Sequence, residues 1–439
     1  MAIGVGLRAL QTLLVAPWPP GIFNDEAYYS TLAQLVADGQ GFVRPAEFYR
    51  DHLMLPTAER APLFTILVAG VYKLGLSGGD GRLVGLFTGG GTIAALGLLG
   101  RRLAGARAGL LAAGVAALYP ILIAADGAMM TESTYGVFAA FSMLAAYRLL
   151  DAPSLGRAVV LGVLLGVAAL ARAEALLMLP LLLVPVLRRP GGLKAAAAVC
   201  AAFAVVLVPW TVRNWSAFDR PVLIATEGGE TLAGANCDVT YYGERIGTWQ
   251  YSCATFDGSG NEAKELNEAG HRGTRYARHH LGRLPLVLAA RFARTWGLWQ
   301  PFAVPEGRRA WVQKLGAAIY FVLIPLAVYG LVLLRRRRVP ILILIAPFIT
   351  VTVTTLLAYG QIRFRHSAEL SLVVLAAVAL DALLPSPDPA GTSTLARPAP
   401  YAARACSPPS QCRHGFRDGR GCAPPPPATW LRSACSPSP

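Results

Sequence analysis

Arginine clusters recur between the long apolar runs of this chain, and they recur on alternate loops. The runs at 83–100, 106–124, 133–150, 195–212, 314–334, 339–358 and 366–384 each approach the length of a bilayer crossing, for which about 20 apolar residues suffice. The stretch 157–187 is too long for one crossing. Arg172-Ala173-Glu174 interrupts it, so it reads as two short helices around a tight turn. The first apolar segment, Ala2 to Val15, is followed by Pro17-Trp18-Pro19-Pro20 with no small-residue cleavage site before it, and reads as a span rather than a signal peptide. The total is ten spans, and the fold class is an all-α polytopic membrane bundle. Only 15% of the residues are charged, against about a quarter in a soluble domain.

The arginines set the orientation. Arg101, Arg102 and Arg107, then Arg148 and Arg157, then Arg188, Arg189 and Lys194, then Arg335 to Arg338 fall on every second loop, as cytoplasmic clusters should. This parity requires that Pro62 to Leu76, 15 residues including Lys73, does not cross. It is expected as a juxtamembrane helix. The loops 18–82, 125–132, 172–174, 213–313 and 359–365 then face outward at the plasma membrane. The same bias accounts for the net charge of +15. With no basic face interleaved with aromatics, a nucleic-acid partner is not expected.

The outward loops hold the unusual polar residues. Asp25 and Glu26 follow the first apolar segment, and Asp126 and Glu132 flank another outer turn. Ionisable groups beside hydrocarbon are costly and are kept where they act. Together Asp25, Asp126 and Glu132 could hold a divalent cation (magnesium, manganese or calcium), or a carboxylate could take a proton from a hydroxyl. Helix capping competes at both places: Asn24 as N-cap with acids in the first turn, and Thr131 with Glu132 opening the run from 133. Arg363 and Arg365 stand outside against the positive-inside bias, and a guanidinium forks onto two phosphate oxygens. Arg172 and Arg213 are weaker candidates of that kind, with pairing to an acid such as Glu174 as the rival reading. Gly85 to Gly89 and Gly162 to Gly166 read as close helix contacts rather than phosphate loops. Cys237 and Cys253 share the large outer loop, where an oxidising compartment favours a disulfide over two free thiols. After Leu384 the pattern is lost. The Pro-, Ser- and Arg-rich tail 385–439, with Cys406, Cys412, Cys422 and Cys435, reads as disordered and cytoplasmic, apart from a membrane domain at 1–384.

In order along the chain, Asp25-Glu26, Pro62-Leu63-Phe64, Arg82-Leu83, Gly100-Arg101-Arg102-Leu103-Ala104-Gly105, the acidic turn around Asp126 and Glu132, Ala171-Arg172-Ala173-Glu174, Pro209-Trp210-Thr211-Val212-Arg213-Asn214 and Arg363-Phe364-Arg365 resemble the GT-C membrane glycosyltransferases. The similarity is to the branch of protein O-mannosyltransferases and aminoarabinose transferases, over roughly 20–384. Gly234-Ala235-Asn236-Cys237-Asp238 is similar to actinobacterial members. The resemblance implies transfer of a sugar from a polyprenyl-phosphate donor to a glycan, lipid or protein acceptor outside the membrane. It also implies that Asp25 is the base or metal-site residue of an inverting attack. Glu26, Asp126 and Glu132 would assist, and Arg363 and Arg365 would hold the lipid phosphate. The first span is shorter than in that family, which implies missing N-terminal residues. Two rival functions are a lipid-linked sugar flippase, which calls for charges within the spans, and a non-catalytic assembly protein, which needs no carboxylates in the first loop.

Overall fold

The computed structural model describes residues 2–12, 24–255, 260–304 and 308–385. The tail from 386 onward, with its four cysteines, lies outside the described residues. Among those described, every regular element is helical, apart from one isolated bridge between Val43 and Pro56. Four helices are long and apolar enough to cross a membrane: Gly78–Ala104 (of which Leu83–Ala104 is α-helical, α5 below), Gly192–Phe218, Ala310–Arg336 and Ile362–Leu383. Ala106–Leu118 and Pro120–Gly127 make a fifth if counted as one span bent by 56°. Ten spans were expected. The difference lies in short helices and in one diluted by polar residues.

In chain order the helices are α1 (Ala2–Leu10), α2 (Asp25–Ala37), α3 (Pro45–Asp51), α4 (Pro62–Lys73), α5 (Leu83–Ala104), α6 (Ala106–Leu118), α7 (Pro120–Gly127), α8 (Thr131–Asp151) and α9 (Leu155–Ala171). They continue as α10 (Ala175–Leu187), α11 (Gly192–Phe218), α12 (Gly228–Ala235), α13 (Asp238–Tyr241), α14 (Glu262–His279), α15 (Leu284–Thr295), α16 (Ala310–Arg336), α17 (Leu342–Leu357) and α18 (His366–Leu383). At a rise of about 1.5 Å per residue, the 12 residues of α4 fall far short of a bilayer, in keeping with a juxtamembrane helix. Helices α9, α10 and α17 are apolar but have only 17, 13 and 16 residues. Helix α8 has 21 residues, and Thr131, Glu132, Ser133 and Thr134 occupy its first turn.

Glycines set the closest helix approaches. A Cβ on Gly162 would stand 2.3 Å from the carbonyl of Val199, so α9 and α11 touch along backbone. Pro120 has no N–H to continue α6, and the chain bends there into α7. The end of α7 then lies against α5, where a Cβ on Gly85 would fall 1.9 Å from the carbonyl of Asp126. Helix α18 is central, with His366 through Ala379 buried. By contrast α11 exposes Val205, Val208 and Val212, as a lipid-facing helix would. At one end of the bundle Arg107 pairs with Asp381 at 2.5 Å, and Arg102 pairs with Asp151.

The two long loops meet at the other end. Helix α2 packs on α4 through Tyr29, Ala33, Phe64 and Val68. The second long loop docks on the first by backbone bonds from Thr226 N to the Ala58 carbonyl (2.9 Å) and from Glu227 N to the Glu59 carbonyl (3.2 Å). The Glu262 carboxylate reinforces this by accepting from Ala58 N (2.8 Å) and from the Thr226 hydroxyl (2.7 Å). Cys237 and Cys253 are joined in a disulfide.

Candidate active site

Asn24 takes an extended backbone and its side chain accepts from Ala27 N at 2.9 Å, so it caps α2. That fixes Asp25 in the first turn, at the edge of the loop layer. One carboxylate oxygen of Asp25 receives Arg60 at 3.2 Å and the other receives Arg363 at 2.7 Å. Capping and a charged site therefore coexist in the same turn. Residues adjacent on a helix point about 100° apart, and Glu26 turns inward, where its carboxylate accepts from the backbone N–H of Met129 at 3.0 Å.

Around Asp25 the loops expected to share one side converge. Arg60 also holds Glu227 at 2.6 Å and lies 3.4 Å from Glu59. Arg363, on the turn before α18, reaches back to within 3.8 Å of Glu132. Arg172, at the end of α9, forms an ion pair with Glu132 at 3.2 Å and hydrogen-bonds Glu174 at 2.8 Å. Its guanidinium also donates to the Thr131 hydroxyl at 3.1 Å. Met130, not Thr131, is the N-cap of α8, with no side-chain bond. Thr131 and Glu132 thus face the site rather than cap the helix. The cluster grades from Glu227, whose side chain is 35% exposed, through Asp25 at 21%, to Glu132 at 7%. It is open toward the second long loop and closed toward the bundle.

Burial by itself would raise the Asp25 carboxyl. Arg60 and Arg363 override it and bring the value down to about 2. Glu59 behaves oppositely: burial pushes it up to about 8, against the pull of Arg60 and with the help of Glu230, Glu262 and Glu227. One site therefore pairs a carboxylate that stays ionised with a carboxyl that titrates near neutrality, an arrangement that recurs where acid–base work is done.

Three sequence-predicted residues lie elsewhere. Asp126 pairs with Arg8 at 2.6 Å, with the two side chains 3% and 0% exposed. Arg8 also donates to the last carbonyls of α6, Ala116 and Ala117, so the pair ties α1 to the α6–α7 break. Arg365 is spent on Glu369, one turn into α18, beneath the Tyr320 ring at 3.7 Å. Arg213 donates to the carbonyls of Thr57 and Phe42, both at 2.8 Å, and stacks on Trp210. It is a strut between α11 and the first loop. The divalent-cation set does not assemble, because Asp126 is held by Arg8 and both oxygens of Asp25 face guanidinium groups. Among the described residues no three His, Cys, Asp or Glu side chains group as a metal site.

Residues 59–214 match the family described as dolichyl-phosphate-mannose-protein mannosyltransferase. That segment contains Glu59, Arg60, Glu132, Arg172 and Glu174. The fold is similar to the oligosaccharyltransferase of Archaeoglobus fulgidus. Against its structure with a tethered acceptor peptide the TM-score is 0.52 at 14% identity, covering 87% of this chain and 49% of that one. Against its complex with an inhibitory peptide and a dolichol-phosphate the values are 0.51, 16%, 87% and 49%. The chain has the GT-C fold.

This chain spans about half the length of that GT-C oligosaccharyltransferase, which has also been determined in complex with zinc and sulfate. ArnT from Cupriavidus metallidurans bound to undecaprenyl phosphate matches with a TM-score of 0.44 at 14% identity, over 86% of this chain and 76% of that one. No curated protein matches the sequence. Within this GT-C bundle, sequence reasoning found Asp25, Glu132, Arg172 and Arg363 but missed Arg60, Glu59 and Glu227. The adjacency Glu59-Arg60 just before Pro62 was the available signal: a charged pair at the start of a juxtamembrane helix.

Proposed function

We propose that the chain transfers a sugar from a polyprenyl-phosphate donor to an acceptor on the extracytoplasmic side, with the cluster around Asp25 as its active site. The observation that carries this reading is the sharing of Asp25 between Arg60 and Arg363, where loops from five parts of the chain meet. In the free site the Asp25 carboxylate is a weak base, because two guanidinium groups hold it at about 2. A phosphate monoester or diester competes well for a guanidinium, since both offer paired oxygens. Arrival of the donor phosphate at Arg363 and Arg172 would release one side of Asp25. The freed carboxylate takes the proton of the acceptor hydroxyl as that oxygen bonds to the anomeric carbon, and the polyprenyl phosphate leaves with the electron pair of the broken C–O bond. Domain 1–384 is the catalytic unit in this reading, and the two long loops form its roof.

A second reading makes Glu59 the proton acceptor, and the value of about 8 favours it, because general bases work best near the ambient pH. Both readings are tested in membranes supplied with labelled polyprenyl-phosphate sugars. Asp25→Asn should abolish transfer while insertion persists, and full transfer by that variant ends the first reading. Glu59→Gln should leave a reduced rate that no longer responds to pH near 8.

A further inference from the structure

Two adjacent cavities run along one face of α14, away from the Asp25 cluster. One, of about 440 Å³, is lined by His271, Thr274, Arg275, Arg278 and His279. The other, of about 510 Å³, shares His271 and Thr274 with the first and continues past Asn267 and Gly229 to Thr226 and Arg220. Neither is lined by a carboxylate, while Arg220, His271, Arg275, Arg278 and His279 all face them. Their volumes fall in the range of small-ligand clefts, roughly 300–1,000 Å³. Gly229 lies backbone to backbone against α14, where a Cβ would fall 1.7 Å from the Leu266 carbonyl.

The groove has two ends with different neighbours. Arg220 lies two residues beyond the end of α11 at Phe218, after its C-cap Asp219. Thr226, at the inner side, bonds through its backbone to Ala58, and the next residue, Glu227, holds Arg60, which holds Asp25. One hydrogen-bonded chain therefore links the groove wall to the candidate catalytic carboxylate.

We propose that this groove binds the acceptor, and that the acceptor is an anionic glycan bearing carboxylate or phosphate groups. The inference rests on the glycosyl-transfer reading above and adds the acceptor class to it. Arg275 and Arg278, three residues apart on α14 and therefore neighbours on its surface, supply forked donors suited to such groups. The apolar wall of Pro221, Val222 and Leu223 suits the flat faces of sugar rings.

The test uses the full chain in nanodiscs of neutral lipid. The probes are an oligogalacturonate and a maltooligosaccharide of the same length, with phosphatidylglycerol vesicles as a separate arm. The expected result is that the oligogalacturonate binds, weakens as salt is raised, and weakens roughly tenfold in Arg275→Gln/Arg278→Gln, while Arg275→Lys/Arg278→Lys, which keeps the charge and loses the fork, recovers only part of the binding. Variants are compared only where their thermal midpoint and the Cys237–Cys253 bond match the parent. Equal binding of the neutral sugar, or no binding of the oligogalacturonate, overturns the proposal. So does a double variant that loses vesicle binding alone, which assigns the groove to the membrane surface. Binding needs no turnover. Transfer that survives without groove binding therefore overturns this inference alone, and groove binding without any transfer overturns the parent reading alone.

Discussion

Asp25 and Asp126 carry the same signal in the sequence, an acid at the outer end of an apolar run, and the structure gives them opposite surroundings. Asp126 has one guanidinium, Arg8, in a sealed pocket between α1, α5 and α7. Asp25 has two, Arg60 and Arg363, from separate loops, and one side open to solvent. A sealed one-to-one pair is a fixed strut. A carboxylate divided between arginines of two separate loops can exchange one partner for a ligand. Number of partners and access, rather than charge alone, separate the two roles.

The comparison can be broken from several sides. Asp25→Asn should lower transfer by about a thousandfold, the middle of the range for loss of a positioned base, with the unfolding midpoint of the membrane-inserted protein little changed. Asp126→Asn should do the reverse. Leaving Arg8 buried and unpaired costs about 3–5 kcal/mol, whereas replacing both by Arg8→Met/Asp126→Leu should recover most of that. Unfolding in mixed detergent reads both, and a destabilised Asp25→Asn beside an unaffected Asp126→Asn would invert the assignment. Arg363→Lys keeps the charge and loses the fork. It should raise the donor KM by roughly tenfold or more, with a smaller effect on kcat. The smallest effect concerns pH. Glu59 sits at about 8 against an ordinary 4.5, so the fold favours its protonated form, and its contribution to stability, full below about 4.5, is lost as pH rises from there to about 8. Transfer should climb across the same window if the ionised carboxylate takes the proton. Glu59→Gln should flatten that climb, and an unchanged profile would remove Glu59 from the proton path.

Periodicity and length made most helices legible, and arginine parity made legible which loops share a side. Asp25, Glu132, Arg172 and Arg363 do meet, as their shared side implied. Helix geometry was enough to separate Glu26 from Asp25, since neighbours cannot point the same way. The spacing of Arg365 and Glu369, four residues apart, was likewise sufficient to pair them. Arg8 with Asp126 and Arg60 with Glu227 were not legible. Their partners stand 118 and 167 residues apart, and only the packing of the bundle decides which of many arginines reaches which acid. The same limit hid the helix count: a 13-residue apolar helix and a full crossing look alike until their ends are seen.

Helix α11 has a further consequence. Its 27 residues extend about 40 Å, roughly 10 Å more than the hydrocarbon thickness. The surplus acts as a ruler. With the end near Gly192 at one interface, Arg213 and the loops it clasps would fall close to the opposite one. A thicker or thinner membrane would tilt the ruler and shift the roof of the site, and in the glycosyl-transfer reading proposed above bilayer thickness becomes a variable of the reaction itself.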